Sequence, residues 1–265
     1  MLENKNGKEI KGKIFQNIFY VVALPIIIIL FWEIGVRHGS INGALLPAPT
    51  RLWEVFSRDL LDGKVWYNLS ISFLRVLLGF ATGCVLGLVI GFFMGLIAPV
   101  NKLLSSITSL FRSIPVIALV PLFILLFGIG ENSKRMVIAY ASFWPILLNT
   151  MGGIQNVDRK LFEVAYSYRI SKRKTIFKII WPSALPSILT GLRLGVSSAW
   201  MSVIAAEMFA ASRGIGYMIM TSKDTAQIAP MFVYVFVIGV IGLIIDKILI
   251  RVQNFYIKKT RGIEG

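Results

Sequence analysis

The sequence predicts an all-α membrane protein with about six transmembrane helices. Of its 265 residues, 56% are hydrophobic and only 15% are charged, and the mean hydropathy is +0.74. A soluble domain of this length needs far fewer apolar residues. A helix that crosses the hydrocarbon core needs about 20 mainly apolar residues. Six segments meet this requirement, at about residues 18–36, 71–97, 116–129, 136–154, 184–211 and 231–250.

The first span follows a polar segment, residues 1–17, which we expect to be cytoplasmic. A signal peptide is the alternative for this region, but the apolar run is long and has no clear small-residue cleavage site. We therefore expect a retained span. Residues 18–250 are predicted to form a single transmembrane domain, and residues 251–265 a cytoplasmic tail.

The segment between the first two spans predicts a short amphipathic helix on the outer membrane face. It reads LLPAPTRLWEVFSRDLLDG, in which Thr50 is a plausible N-cap. Its apolar residues recur at helical spacing, namely Leu52, Val55, Phe56 and Leu60.

The second span contains a glycine at every fourth position, namely Gly79, Gly83, Gly87, Gly91 and Gly95. A stripe of small residues on one helix face lets another helix approach closely. The partner is either another helix of the same chain or a second copy across a dimer seam.

The third span is short and is interrupted by Pro115 and Pro121. A proline frees backbone carbonyl groups that lipid cannot satisfy. We therefore expect this span to be packed inside the bundle and shielded from lipid.

The distribution of basic residues predicts the orientation. Most of the lysine and arginine residues between spans fall on one side when the N-terminus is placed in the cytoplasm. Both termini are therefore predicted to be cytoplasmic. The net charge of +15 fits loops that face anionic lipid or an acidic partner. Nucleic acid is a poor alternative, because the basic residues flank apolar blocks and do not form one stripe.

The long inner loop, residues 155–183, predicts two helices joined by a tight turn. Asp158 is placed to cap the first helix, which runs to Tyr168. Ser171 is placed to cap the second, which is expected to stop at Pro182.

This loop resembles that of the permeases of binding-protein-dependent ABC importers, whose pattern is Glu-Ala-Ala, then Gly, then Leu-Pro. The matching residues are Glu163-Val164-Ala165 and Leu185-Pro186, preceded by Trp181-Pro182. The sequence departs from the pattern at Val164 and at Arg169, which takes the place of the Gly. Further segments are similar to the nitrate, sulfonate, taurine and bicarbonate branch: FLRVLLGF at 73–80, FGIGE at 127–131, LRLG at 192–195 and AEM at 206–208 with GIGY at 214–217.

The resemblance implies that the loop forms a coupling helix, which docks in a groove of an ATP-binding cassette ATPase subunit. The residues expected to make this contact are Phe162, Glu163, Ala165, Tyr166 and Arg169. It further implies an extracytoplasmic substrate-binding protein, a second permease copy and a place in the bacterial inner membrane. A small anion such as a sulfonate or nitrate is the expected substrate. The alternative for the loop is attachment to anionic lipid.

Charges at membrane depth are costly and point to function. Arg75 and Glu207 occupy similar depths on different spans, so we predict an interhelical ion pair that is either structural or part of a substrate gate. Arg193 has no evident acidic partner at its level. It is expected either to face an anionic substrate or to bind carbonyls freed by a proline. Trp200 is a candidate for lining the passage, with packing as the alternative.

The composition argues against catalysis and cofactors. Cys84 and His38 are the only residues of their types, so neither a thiolate metal cluster nor an intrachain disulfide is possible. The phosphate-binding pattern GxxxxGK[ST] is absent, so ATP must be hydrolysed by another subunit. An ion-coupled secondary carrier is the main alternative, although it would normally show a repeated half. An intramembrane hydrolase is the third hypothesis, but the paired catalytic residues are missing.

Overall fold

The computed structural model describes residues 23–261, and the regular secondary structure of this part of the chain is helical throughout. Helix α1 covers 23–37. The helices that follow are α2 Pro49–Leu61, α3 Lys64–Leu96, α4 Ala98–Arg112, α5 Val116–Phe127, α6 Glu131–Gln155, α7 Arg159–Ser167, α8 Lys172–Thr175, a π-helical turn Ile176–Ile180, α9 Trp181–Ala210, α10 Ile215–Asp224 and α11 Ile228–Arg261.

Four helices of the described part are long and apolar enough to cross a membrane. They are Lys64–Leu96, Glu131–Gln155, Lys172–Ala210 and Ile228–Tyr256, and the pair α4 and α5, bent by 98°, is a candidate fifth. These correspond to the last five predicted spans. The first predicted span, 18–36, begins outside the described residues, and α1 forms its visible part.

The second helix of the inner loop does not stop at Pro182, and that prediction was wrong. The helix continues through the π-helical turn into α9, so that Pro182 lies near the start of the transmembrane part. Proline lacks an N–H and its ring clashes with the carbonyl four residues earlier. A π-helical turn immediately before the proline widens the backbone where this clash would occur.

The prediction that the third span is buried is also wrong within the single chain. Only Val120 of α5 is buried, whereas Ile117, Leu125 and Leu126 are exposed. Because the chain bends by 98° between α4 and α5, only one face of α5 packs on Val137 and Ala206.

Two helices were not predicted, α4 and α10. Helix α4 lies in a segment that was expected to be a connection, and none of its residues is buried. Helix α10 is short but well covered, with Ile215 and Ile219 in the core.

The glycine stripe of α3 packs against α6 of the same chain, which supports the intrachain alternative. A Cβ added at Gly91 would lie 2.7 Å from the Leu147 carbonyl oxygen, and one added at Gly87 would lie 2.9 Å from that of Phe143. These contacts leave no room for a side chain. The two helices therefore form the closely packed centre of the bundle.

The predicted amphipathic helix is present as α2, although Thr50 does not cap it. The helix begins at Pro49, and the Thr50 hydroxyl donates to Glu33 of α1 at 2.9 Å. Leu52 and Val55 belong to the same hydrophobic cluster as Tyr234 of α11. The Tyr234 hydroxyl donates to the buried Asp59 at 2.8 Å. Helix α2 is therefore fixed to the bundle by polar and apolar contacts.

Candidate functional site

The predicted ion pair between Arg75 and Glu207 is confirmed. Arg75 of α3 donates from Nη1 to Oε1 of Glu207 on α9 at 2.8 Å, and the two side chains are 5% and 0% exposed. A buried charge pair is stable only when further hydrogen bonds satisfy its remaining groups. Both members have such bonds.

Glu131 is a further member of this network. Arg75 binds it with two parallel hydrogen bonds, from Nε at 2.7 Å and from Nη2 at 2.6 Å. Lys134 also donates to Glu131, at 3.1 Å. In the sequence, Glu131 stood out only as the last residue of the FGIGE segment at 127–131. Glu131 lies in the first turn of α6, where a carboxylate interacts favourably with the positive end of the helix dipole. This position was the signal in the sequence that could have identified Glu131.

The network holds the start of α10. The Ser72 hydroxyl donates to Glu207 at 2.8 Å and accepts from the Ile215 N–H at 3.0 Å. The Gly216 N–H donates to Glu207 at 2.9 Å. Gly214 has a φ of 110°, and a Cβ there would collide with the Glu207 carboxylate. This packing explains the presence of glycine in the GIGY segment at 214–217.

A cavity of about 420 Å³ lies beside the network. Arg75 and Glu131 form part of its wall, together with Ile71, Leu74, Leu78, Arg135, Ser212 and Arg213. The cavity therefore combines basic and apolar surfaces.

Arg193 has an acidic partner, contrary to the expectation from sequence. Its Nε lies 3.2 Å from Oδ1 of Asp246 on α11, and the side chains are 32% and 42% exposed. Gln253, one of its hydrogen-bond partners, also donates to Thr190 at 2.7 Å. Asp246 lies within α11, which extends beyond residue 250, and its carboxylate contacts α9.

Trp200 is 5% exposed and packs among Val76, Ile138 and Val203. Its indole N–H donates to the Ile238 carbonyl at 3.2 Å. In the single chain it occupies a packing position between α9 and α11.

The inner loop contains α7, which is capped at both ends. The Asp158 side chain accepts from the Lys160 N–H at 2.9 Å, as predicted. At the other end the Ile170 N–H bonds the Ala165 carbonyl and the Arg169 N–H bonds the Tyr166 carbonyl, both at 2.9 Å. This pattern is a Schellman motif.

Arg169 occupies the left-handed position of that motif, with a φ of 50°. Glycine is the usual residue there, because a Cβ makes this conformation costly. The position therefore matches the place where the importer pattern has a glycine. Ser171 precedes α8 but makes no capping hydrogen bond through its side chain.

Every residue of α7 except the buried Ala165 is exposed, including Phe162, Glu163 and Tyr166. Tyr166 is 87% exposed. A short helix with fixed ends and an exposed aromatic residue provides a rigid surface that another protein can contact.

Comparison with known proteins assigns the chain to a family. Residues 83–259 match the family described as binding-protein-dependent transport system inner membrane component. The chain is 36% identical over 244 residues to a putative aliphatic sulfonates transport permease of Bacillus subtilis (strain 168), covering 92% of this chain and 88% of the relative. It is 30% identical over 237 residues to the taurine transport system permease of Escherichia coli (strain K12), covering 88% and 86%. It is 28% identical over 245 residues to the nitrate import permease of Synechocystis sp. (strain ATCC 27184 / PCC 6803 / Kazusa), covering 89% and 88%.

Solved structures show the same fold. A chain of the inward-facing MetNI methionine ABC transporter matches with a TM-score of 0.58 at 18% identity, covering 74% of this chain and 95% of that one. An amino acid ABC transporter crystallised with histidines matches with a TM-score of 0.59 at 21% identity, covering 71% and 91%. The fold and the sequence relatives confirm the resemblance and favour it over a secondary carrier. The chain belongs to the binding-protein-dependent transport system inner membrane components, the membrane-spanning permease subunits of ABC transporters.

Proposed function

We propose that this permease imports a small anion, such as a sulfonate or nitrate, which an extracytoplasmic binding protein delivers. The observation that carries the proposal is the chemistry shared by the named solutes of its relatives. Aliphatic sulfonates, taurine and nitrate all bear an anionic group with several oxygen atoms. Two copies of the chain, or this chain and a homologue, form the membrane path.

The inner loop, 155–183, is the proposed contact with the ATPase subunit. Phe162, Glu163 and Tyr166 are exposed on α7, whereas Ala165 is buried. Arg169 closes the helix by its backbone and adds a positive charge beside the contact. A rigid helix transmits a rigid-body rotation better than a flexible loop. This assignment requires that the loop and both termini lie in the cytoplasm.

The Arg75 and Glu207 pair is the proposed outer gate element, because it links α3, α6, α9 and the start of α10. Arg193, with its partner on α11, is the corresponding charged contact nearer the inner side. Trp200 lies between these levels and supports the α9–α11 contact.

The function is tested in proteoliposomes that contain the permease, its ATPase and its binding protein. We expect uptake of butanesulfonate, taurine or nitrate that requires ATP, and no uptake of the cation choline. Uptake driven by a Na⁺ or H⁺ gradient without ATP would support the secondary-carrier alternative instead.

The coupling assignment is tested by Glu163→Lys, which reverses a charge on the exposed face of α7. We expect the ATPase to dissociate from the permease during purification and ATP-dependent uptake to fall by at least tenfold. The control is Glu54→Lys on the exposed surface of α2, which changes the net charge equally. Unchanged association and uptake in Glu163→Lys would show that α7 is not the coupling helix.

A further inference from the structure

The cavity beside the buried charge network has a surplus of positive charge. Arg75 and Lys134 are balanced by Glu131 and Glu207, so those four side chains are neutral together. Arg135 and Arg213 also line the cavity. Among residues 23–256, whose side chains the structure describes, neither of these two arginines has an ion-pair partner. The lining of the cavity therefore includes two arginine residues without a counter-charge.

Arg135 is the more informative of the two. Its Nε atom is buried and has no hydrogen-bond acceptor in the described part of the protein. A buried donor without an acceptor costs about 1–3 kcal/mol, and more when the group is charged. Because Nε has almost no accessible surface, a ligand oxygen in the cavity would be bound by the other N–H groups of this guanidinium. A guanidinium group also matches the geometry of an oxyanion, because it presents parallel N–H donors.

Part of the cavity wall is apolar. Ile71, Leu74 and Leu78 recur three and four residues apart, so they lie on one face of α3. Leu74 and Leu78 are partly exposed, so the cavity has an open side. An alkyl group attached to an oxyanion would find apolar contact there while its charged end meets the arginines.

We propose that this cavity is a binding site for an organic anion with a short alkyl chain, held by Arg135 and Arg213. The proposal rests on the proposed function and deepens it. It gives the permease a selective site of its own, in addition to the selection made by the binding protein. Ser212, at the rim, supplies a hydroxyl group as a further donor.

The test measures binding to the permease–ATPase complex in lipid nanodiscs, in the absence of the binding protein. The probe is 1-butanesulfonate, and binding is followed as the concentration-dependent rise of the unfolding temperature. We expect Arg135→Gln to raise the concentration needed for half of the effect by roughly tenfold or more, because a charge-assisted hydrogen bond is lost. Butyltrimethylammonium, which has a similar chain and the opposite charge, should give no rise.

Two further variants test the geometry of the guanidinium group and the apolar part of the wall separately. Arg135→Lys keeps the charge but not the parallel donors, so we expect binding between that of the native protein and Arg135→Gln. Leu74→Asn should weaken the binding of butanesulfonate and leave that of methanesulfonate unchanged. The matched control is Arg251→Gln, an exposed arginine on α11, which should bind as the native protein does. Should Arg135→Gln fail to fold, as judged by its unliganded unfolding temperature, Arg135→Lys and Leu74→Asn still decide the question.

The outcomes distinguish this site from the importer function. Equal binding by the native protein and the cavity variants, or an equal loss in Arg251→Gln, would refute the site. ATP-driven anion uptake that persists in that case leaves the proposed function intact. Arg135-dependent binding of butanesulfonate without any ATP-driven anion uptake would refute the function and leave the site standing.

Discussion

Glu207 illustrates how single residues hold one end of this permease together. Its carboxylate is fully buried and accepts hydrogen bonds from Arg75, Ser72 and the Gly216 backbone. These donors come from α3 and α10, so one side chain on α9 connects three helices. The charge is tolerated at this depth because these three hydrogen-bond donors surround the carboxylate.

Replacing Glu207 by Gln should destabilise the protein strongly. The change keeps the shape but leaves the buried guanidinium of Arg75 with one partner fewer, and breaking a buried ion pair costs about 3–5 kcal/mol. We expect a clear fall in the unfolding temperature of the detergent-solubilised protein. The control is Glu54→Gln, which removes an exposed ion pair with Arg51 and should have little effect. Equal effects of the two variants would contradict the structural role of the network.

Arg169 has a left-handed backbone conformation that is costly for a residue with a Cβ atom. It holds a left-handed φ of 50° at the end of α7, where glycine would be relaxed. Ala226 has a similar φ of 55° at the end of α10.

Arg169→Gly should stabilise the end of α7 by about 1 kcal/mol, because the Cβ penalty of the left-handed conformation disappears. Amide hydrogen exchange at Ile170 should slow roughly fivefold. Arg159→Gly is the matched control, because it removes the same side chain from a helical position and should speed exchange in α7. Faster exchange in Arg169→Gly would mean that the arginine side chain stabilises the turn.

At the scale of elements, the contact between α3 and α6 is the most extensive one in the described part of the bundle, followed closely by that between α6 and α9. The glycine stripe of α3 lies against α6 along most of the length of both helices. Lipid chains are as apolar as leucine, so close van der Waals packing takes the place of the hydrophobic effect in holding such helices together.

Gly91→Ala should destabilise the bundle, since its Cβ would lie 2.7 Å from the Leu147 carbonyl oxygen and α6 would have to move. Overpacking of this kind costs about 1–3 kcal/mol. The measurement is the unfolding temperature, and the matched control is Gly239→Ala on α11, where a Cβ would have no neighbour within 4 Å. A destabilisation as large in Gly239→Ala as in Gly91→Ala would show that the effect does not arise from helix packing.

At the scale of the whole molecule, α2 and the charge network lie toward one end of the bundle and α7 toward the other, because α3, α6 and α9 each connect the two ends. This separation fits a protein that meets different partners on the two membrane faces. We propose that the face with α7 is the cytoplasmic one, because the loop that contains α7 is rich in basic residues.

The orientation can be tested by thiol labelling, because Cys84 is the only cysteine. In a Cys84→Ser background, we expect a membrane-impermeant maleimide added to intact cells to label Glu54→Cys on α2 but not Ser167→Cys on α7. After the membrane is permeabilised, both should react. Labelling of Ser167→Cys in intact cells would place α7 outside and overturn the coupling assignment.

Several features were predictable because they are local or depend only on depth. The apolar runs predicted the long helices, and the spacing of Leu52 and Val55 predicted the amphipathic α2. Asp158 predicted the start of α7. The pairing of Arg75 with Glu207 followed from equal depth in the membrane, where a lone charge is costly.

The sequence by itself therefore determined an all-helical membrane protein, the family motifs and one ion pair. Only the tertiary structure decided that Asp246 meets Arg193, that Glu131 joins the buried network, that α5 is exposed in the single chain, and that Arg135 faces a cavity. Hydropathy and residue spacing describe how each helix relates to the membrane. Which helix faces meet depends on the rotation and bending of several helices packed together, and this information is not local in the chain.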